Sequence, residues 1–250
     1  MTYSPFEARV LPIFIYYIFL TIFGVLTSVK MYYKWRERKV SAPLFLTLAF
    51  SFLTIALLGT TIGLAEAAIT GYYKEIYRFS LPFGYSMVVA ANIFLFIFSS
   101  NITNKGKRAY NIIIIFSVLL VILLFLPWNW WGVPSVDYAG QLNIRIYSTL
   151  SLVIYSYLIY GYIAYISFKL SKKAEKKTTR FGLTLLFYAM ISLMLLFLML
   201  IFDTLMILLF NHPGYSEFTY IAWIFGIIFI ILAYLSLIMP EWLLKRIDKN

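Results

Sequence analysis

Cysteine is absent from this 250-residue chain, and histidine occurs once, as His212. Disulfide bonds, thiol catalysis and metal or haem sites built from several imidazoles are therefore excluded. The sequence also lacks a phosphate-binding glycine loop, metal-ligand spacing, and a nucleophile with a base and an orienting partner. We therefore expect no enzyme, no metal and no cofactor, and we interpret His212 as a turn residue beside Pro213 and Gly214.

Charge is also scarce, because 12% of the residues are charged and 62% are hydrophobic, whereas about 25% are charged in a soluble domain. Seven stretches of 20 or more residues contain no Asp, Glu, Lys or Arg. About 20 apolar residues in a helix cross the hydrocarbon core of a bilayer. We predict an all-α polytopic protein of the cell membrane, a single seven-helix transmembrane domain over residues 1–250 with no soluble domain. The predicted spans are approximately residues 10–30, 42–66, 80–102, 109–128, 146–169, 181–210 and 218–240.

Proline is missing from the middle of these predicted spans. Pro12, Pro43 and Pro82 are expected at the starts of spans, where the missing N–H matters least. This placement of proline supports the seven-span prediction.

The basic residues predict how the chain is oriented. Of 21 Lys and Arg residues, 17 follow the first, third, fifth and seventh spans. By the positive-inside rule, the N-terminus lies outside and the C-terminus in the cytoplasm. The net charge of +11 is then explained by attraction to anionic lipid headgroups at the cytoplasmic face. Nucleic acid is not an expected partner.

A basic loop, Lys34-Trp35-Arg36-Glu37-Arg38-Lys39, follows the first span, and Gly63-Leu64-Ala65-Glu66 ends the second. A third span rich in Tyr and Phe comes next, and Pro127-Trp128 closes the fourth. Over its first half the chain resembles the seven-helix sensor region at the N-terminus of some membrane histidine kinases. The resemblance implies a receptor-like sensor for a small ligand. Because eight residues follow Trp242, we expect a stand-alone sensor that signals to a separate cytoplasmic partner.

An internal repeat is the second organising pattern. Shifting the sequence by 137 positions pairs Gly24 with Gly161 and Glu66 with Asp203. Spans one to three would then correspond to spans five to seven in the same orientation, with the fourth as a linker. Parallel repeats of this kind occur in SWEET-type sugar transporters, although those carry mid-helix prolines. The alternatives to a sensor are therefore a small-solute or ion transporter of this 3+1+3 type, or an accessory membrane subunit.

Two acids end apolar runs on the predicted outer side, Glu66 after the second and Asp203 after the sixth. A carboxylate buried there is costly unless it is paired, protonated or hydrated. We interpret Glu66, Asp203, Arg78, Arg145 and the deeper Asn92 as candidate ligand-binding residues. The alternatives are that both acids are solvated among the headgroups and that Asn92 forms a hydrogen bond between helices.

Overall fold

The computed structural model describes residues 3, 5–39, 41–103, 106–126, 129, 144–210, 212 and 214–249, and in these residues it forms helices and no β-strand. The helices are α1 (Leu11–Arg38), α2 (Ser41–Thr70), α3 (Glu75–Thr103), α4 (Tyr110–Leu124), α5 (Ile144–Ser171), α6 (Lys177–Phe210), α7 (Glu217–Ile238) and α8 (Glu241–Lys249). The first seven are long and apolar enough to cross a membrane. The all-α, seven-span prediction is confirmed, whereas the orientation stays a prediction.

Left-handed backbone positions end three of the helices. Gly71 (φ 74°) follows α2 and donates its N–H to the carbonyl of Ala67 at 3.0 Å. Lys39 (φ 51°) follows α1, and Met239 (φ 45°) follows α7. This conformation turns the chain away from the helix axis while it satisfies a terminal carbonyl. The α2–α3 and α7–α8 connections are short for this reason.

Several helices extend beyond the charge-free runs that predicted them, whereas α4 ends at Leu124, inside its run. α2 continues four residues past Glu66 and α6 seven residues past Asp203, so both acids lie within helices. α3 begins at Glu75, which places Pro82 inside a helix, and the expectation that Pro82 starts a span is wrong. Glu, Lys and Arg are good helix formers and Asp costs only a fraction of a kcal/mol, so a helix does not end where its apolar stretch ends. The nine-residue α8 was not predicted.

The chain divides into two compact units. Unit 1 comprises Met1–Ser28 and Ser41–Ser156, and unit 2 comprises Val29–Val40 and Tyr157–Asn250. Unit 1 therefore holds α2, α3 and α4 with the first parts of α1 and α5. Unit 2 holds α6, α7 and α8 with the last parts of α1 and α5.

Small residues allow close helix packing within unit 1. A Cβ atom added to Gly63 of α2 would lie 2.8 Å from the Cβ of Ser80 and 3.0 Å from the Cα of Tyr77 in α3. A Cβ on Gly59 would lie 2.7 Å from the ring of Phe83. The glycines of α2 thus let α3 approach it closely.

Large apolar side chains are exposed along the seven long helices, as contact with lipid tails requires. α4 shows this most clearly, with Ile112, Ile115, Val118, Leu119 and Ile122 exposed. The buried side of each unit is also apolar, as Leu46 and Phe50 in unit 1 and Met190 in unit 2 illustrate.

The predicted repeat agrees with the positions of the helices along the chain. Adding 137 to the bounds of α2 gives 178–207, close to Lys177–Phe210 for α6. With the same shift in residue number, the range of α1 overlaps most of the range of α5, and the range of α3 includes that of α7. The packing of paired residues differs, however. A Cβ on Gly24 would lie 2.7 Å from the hydroxyl of Thr54, whereas no described atom lies within 4 Å of one on Gly161.

Candidate functional site

Glu66 joins the two helices of a hairpin in unit 1. It lies in the last two turns of α2, and its Oε2 accepts a hydrogen bond of 2.9 Å from the backbone N–H of Tyr77. Tyr77 is the third residue of α3, where backbone N–H groups have no partner within the helix. A carboxylate at this end of a helix also interacts favourably with the helix dipole. Glu66 therefore caps α3 from the neighbouring helix.

Asp203 does the same in unit 2. Its Oδ1 accepts hydrogen bonds from the backbone N–H and from the hydroxyl of Ser216, each of 2.7 Å. Ser216 is the N-cap residue of α7 and is 1% exposed. Glu66 in α2 thus caps α3, and Asp203 in α6 caps α7. The two acids paired by the repeat both bind the start of the following helix in their own unit, but at different positions, the third residue of α3 and the N-cap residue of α7.

Arg78 lies in the first turn of α3 and is 4% exposed. Its guanidinium carbon is 4.9 Å from the centre of the Tyr3 ring, a cation–π contact. The Tyr3 hydroxyl donates a hydrogen bond to the Glu75 carboxylate. This hydrogen bond raises the pKa of Tyr3, and the negative charge of Glu66 raises it further. Arg78, Glu66 and Glu75 therefore all lie within electrostatic reach of one tyrosine.

Residues 3 and 5–7, named here the N-terminal segment, cover this end of unit 1. The Phe6 N–H donates to the carbonyl of Gly71 at 2.8 Å, and the rings of Phe6 and Tyr73 meet edge to face at 5.7 Å. Tyr73 in turn contacts Tyr77, with ring centres 4.4 Å apart. Burial, with a contribution from Glu7, raises the pKa of Tyr73 to about 12. The segment is therefore held by the Phe6 backbone hydrogen bond, by the ring contact of Phe6 with Tyr73, and by the contacts of Tyr3 with Arg78 and Glu75.

Asn92 lies deeper in α3 and is fully buried. Its Nδ2 donates a hydrogen bond of 2.9 Å to the hydroxyl of Ser156 in α5, which confirms the interhelical role considered for it. No described group donates to its Oδ1. The residue next to Ser156, Tyr155, shares a hydrogen bond of 2.7 Å with Ser117 of α4. Polar side chains thus connect α3, α4 and α5 in the middle of unit 1.

The five candidate residues are only partly brought together. Glu66 and Arg78 lie at one end of unit 1, and Asn92 is 14 residues farther along α3, about 21 Å away. Asp203 belongs to unit 2. The side chain of Arg145, like residues Pro127 and Trp128, lies outside the described residues. The prediction that all five bind a ligand stays a prediction.

His212 accepts a hydrogen bond of 3.2 Å at Nδ1 from the backbone N–H of Gly214. This is the turn role expected from its sequence neighbours. Among the described residues, no group of three or more His, Cys, Asp or Glu is placed to hold a metal ion.

Two lysines of α1 have partners that the sequence did not indicate. In unit 2, the Lys34 ammonium donates to the carbonyl of Ile238, the last residue of α7. Lys30 donates to the hydroxyl of Tyr234 at 3.2 Å. Cations are favourable at helix C-termini, where carbonyls lack partners. The sequence shows basic residues after the first span, but not which helix end they stabilise.

The fold places the chain in a broad class, the polytopic integral membrane proteins with seven membrane-spanning helices. No protein-family model, no curated protein and no solved structure matches the chain.

Proposed function

We propose that the protein is a receptor-like sensor of the cell membrane, with its N-terminus outside, that binds a small carboxylate at the outer end of unit 1. The observation that supports this function is Arg78, a buried cation covered by the N-terminal segment. Guanidinium groups bind carboxylates through paired, charge-assisted hydrogen bonds. A ligand that displaces Tyr3 from Arg78 can therefore gain more than the cation–π contact that it replaces.

The surroundings of Arg78 suit an amphipathic ligand. The N-terminal segment that holds Tyr3 over Arg78 also carries Phe6, whose ring meets that of Tyr73, and both of these half-buried rings can pack against an apolar body. Glu66 and Glu75 carry negative charge near Tyr3 and disfavour ligands with several anionic groups. A single carboxylate on a small apolar or aromatic body is the class that agrees with both features.

Signalling requires that a change near Arg78 reaches the predicted cytoplasmic loops. α3 is continuous from Arg78 to Asn92 and beyond, and the Asn92–Ser156 hydrogen bond links it to α5. Exposed lysines lie at the end of α5 on the predicted cytoplasmic side, with Lys169 in its last turn and Lys172 just after it. A small shift of α3 is a known type of switching movement, and a separate cytoplasmic partner that binds these lysines would detect it. The resemblance to histidine-kinase sensor regions supports the same function.

A transporter is the second candidate, because the helix positions and the two capping acids both follow the 137-residue repeat. Parallel repeats are common in transporters, which bind solutes between the halves. The sensor and the transporter differ in one measurable property, since only the transporter moves its ligand across the membrane.

The test uses purified protein in detergent and a panel of small aromatic and aliphatic carboxylates, with the matching amines and alcohols as controls. Thermal unfolding is followed by tryptophan fluorescence. A carboxylate present at 100 times its Kd should stabilise the wild type by about 2.7 kcal/mol. Arg78→Gln should abolish the stabilisation, and Arg9→Gln, which removes a half-buried arginine paired with Glu7, should not.

Tyr3→Ala gives a further check, because removal of the competing ring should tighten binding. Uptake of the same carboxylate into vesicles that contain the protein should not exceed uptake into empty vesicles. Uptake above that level supports the transporter. The sensor proposal is wrong if no carboxylate stabilises the wild type, or if Arg78→Gln responds as the wild type does.

A further inference from the structure

A groove of about 580 Å³ lies in unit 2 between the start of α6 and the helix α8. We name it the α6–α8 groove. It is lined by three cations and by apolar side chains, namely Lys177, Arg180, Arg246, Phe181, Leu243 and Ile247. Cations and apolar groups therefore share one concave surface.

The backbone explains why α8 lies beside α6. The Ser236 hydroxyl of α7 donates to the carbonyl of Gly182 in α6 at 2.8 Å, and a Cβ on Gly182 would lie 3.2 Å from the carbonyl oxygen of Ser236. The end of α7 is thus held against the first turns of α6. Met239, in the left-handed conformation, and Pro240 then turn the chain into α8. The groove follows from this contact and this turn.

α8 is strongly amphipathic. Leu243 is buried and Ile247 half-buried, while Lys245 and Arg246 are exposed. Short helices of this composition lie in the interface between headgroups and hydrocarbon. Lys177 begins a helix that is long and apolar enough to span the membrane, so the groove lies at the level of the lipid headgroups.

In the part of the chain that the structure describes, the cations of the groove are open to an anionic ligand. Lys177, Arg180 and Arg246 are exposed, and the described residues place no carboxylate in an ion pair with them. Phe181 lies one residue beyond Arg180 and is 38% exposed. A small anion bound to the cations would leave the apolar surface around Phe181 exposed. A ligand that also carries a hydrocarbon part would cover that surface.

We propose that the α6–α8 groove is a binding site for an anionic glycerophospholipid. The phosphate binds Lys177, Arg180 and Arg246, and the first part of an acyl chain packs against Phe181 and Ile247. Such a site differs from the general attraction of basic loops to a membrane, because it selects one lipid class and retains it. It is independent of the proposed ligand near Arg78, which lies in unit 1.

The test is lipid retention by the full chain. Protein delipidated in detergent is mixed with phosphatidylglycerol or phosphatidylcholine, and bound lipid is counted by native mass spectrometry. We expect retention of one phosphatidylglycerol and little phosphatidylcholine. The double variant Arg180→Gln, Arg246→Gln should weaken phosphatidylglycerol binding by roughly 30-fold, from the usual contribution of a basic residue near a lipid phosphate. Arg180→Lys, Arg246→Lys should retain most of it.

The matched control is Lys172→Gln, Lys173→Gln, which removes the same charge from exposed lysines outside the groove. It should change binding less than twofold. Phe181→Ala should weaken lipid binding, because it removes the apolar contact and leaves the cations in place.

Several results would overturn the proposal. Equal retention of the two lipids would remove the selectivity, and an equal loss in the control variant would indicate a general basic surface. If glycerol 3-phosphate displaces the lipid and binds as tightly, the groove is a site for soluble phosphates. Comparison of the two lipids and of glycerol 3-phosphate uses the wild type alone, so the proposal is tested even if a variant fails to fold.

Discussion

Replacement of Asp203 with alanine would remove the only described acceptor for two donors of Ser216, its backbone N–H and its hydroxyl, both at 2.7 Å. Ser216 is 1% exposed, so water cannot easily replace the carboxylate. Hydrogen bonds to a charged group contribute about 1.5–3 kcal/mol, and a buried donor without a partner costs a similar amount. We therefore expect Asp203→Ala to destabilise the protein by about 3 kcal/mol.

Asp203→Asn removes the negative charge but keeps a hydrogen-bond acceptor, so it separates the contributions of the two. An asparagine oxygen can still accept from Ser216, but a neutral hydrogen bond is about half as strong as a charge-assisted one. We therefore expect a loss of about 1 kcal/mol for this variant. The control is Thr204→Ala, because the Thr204 hydroxyl donates only within its own helix, to the carbonyl of Leu200 at 2.9 Å. That variant should be nearly neutral.

The assay is thermal unfolding in detergent, followed by the fluorescence of the six tryptophans, because without cysteine a thiol-reactive dye has no target. At about 2–4 °C per kcal/mol for a chain of this size, Tm should fall by roughly 6–12 °C for Asp203→Ala. Asp203→Asn should lower Tm by about 2–4 °C. If Asp203→Ala unfolds within 2 °C of the wild type, the carboxylate does not cap α7 and is a solvated residue of the headgroup region. If Asp203→Asn is as damaging as Asp203→Ala, the charge matters rather than the hydrogen bond.

Three further outcomes are expected. A single cysteine introduced within residues 130–143 should react with an impermeant thiol reagent applied outside intact cells. A cysteine added after the C-terminus should not react, and the reverse pattern would overturn the predicted orientation. Gly63→Ala should lower Tm in the same fluorescence assay, because the added Cβ would lie 2.8 Å from the Cβ of Ser80. Gly161→Ala should leave Tm unchanged or raise it, because alanine has the better helix propensity. Equal effects of the two variants would contradict the described packing of Gly63. The pKa of Tyr73 is raised to about 12, so its ionisation favours the unfolded chain as pH rises above 10. Tyr73→Phe should therefore lose less stability than the wild type between pH 10 and 12. Parallel losses in the two proteins would refute the raised pKa.

The number of spans could be predicted from the sequence because the cost of placing a charge in hydrocarbon is a local property. Each charge-free run of 20 or more residues overlaps one of the seven long helices, although α4 covers only part of its run. Helix ends were less predictable, as Pro82 inside α3 shows. A helix is limited by its backbone hydrogen bonds and its capping groups, and charged residues do not interrupt it.

The candidate site was also predictable only in part. The sequence identified Glu66 and Asp203 as unusual, because carboxylates at the ends of apolar runs need partners. It could not show that those partners are N–H groups 11 and 13 residues farther along the chain. It also gave no sign that Tyr3 covers Arg78.

Composition and runs of residues determined that this protein is helical and lies in a membrane, since both properties depend on the transfer of individual residues from water to lipid. Only the tertiary structure decided which helix each carboxylate caps, which ring covers Arg78, and that α8 turns back beside α6 to form a groove. These features depend on the direction of side chains and on the angles of short turns. Residues distant in sequence determine both, so a local pattern does not contain them.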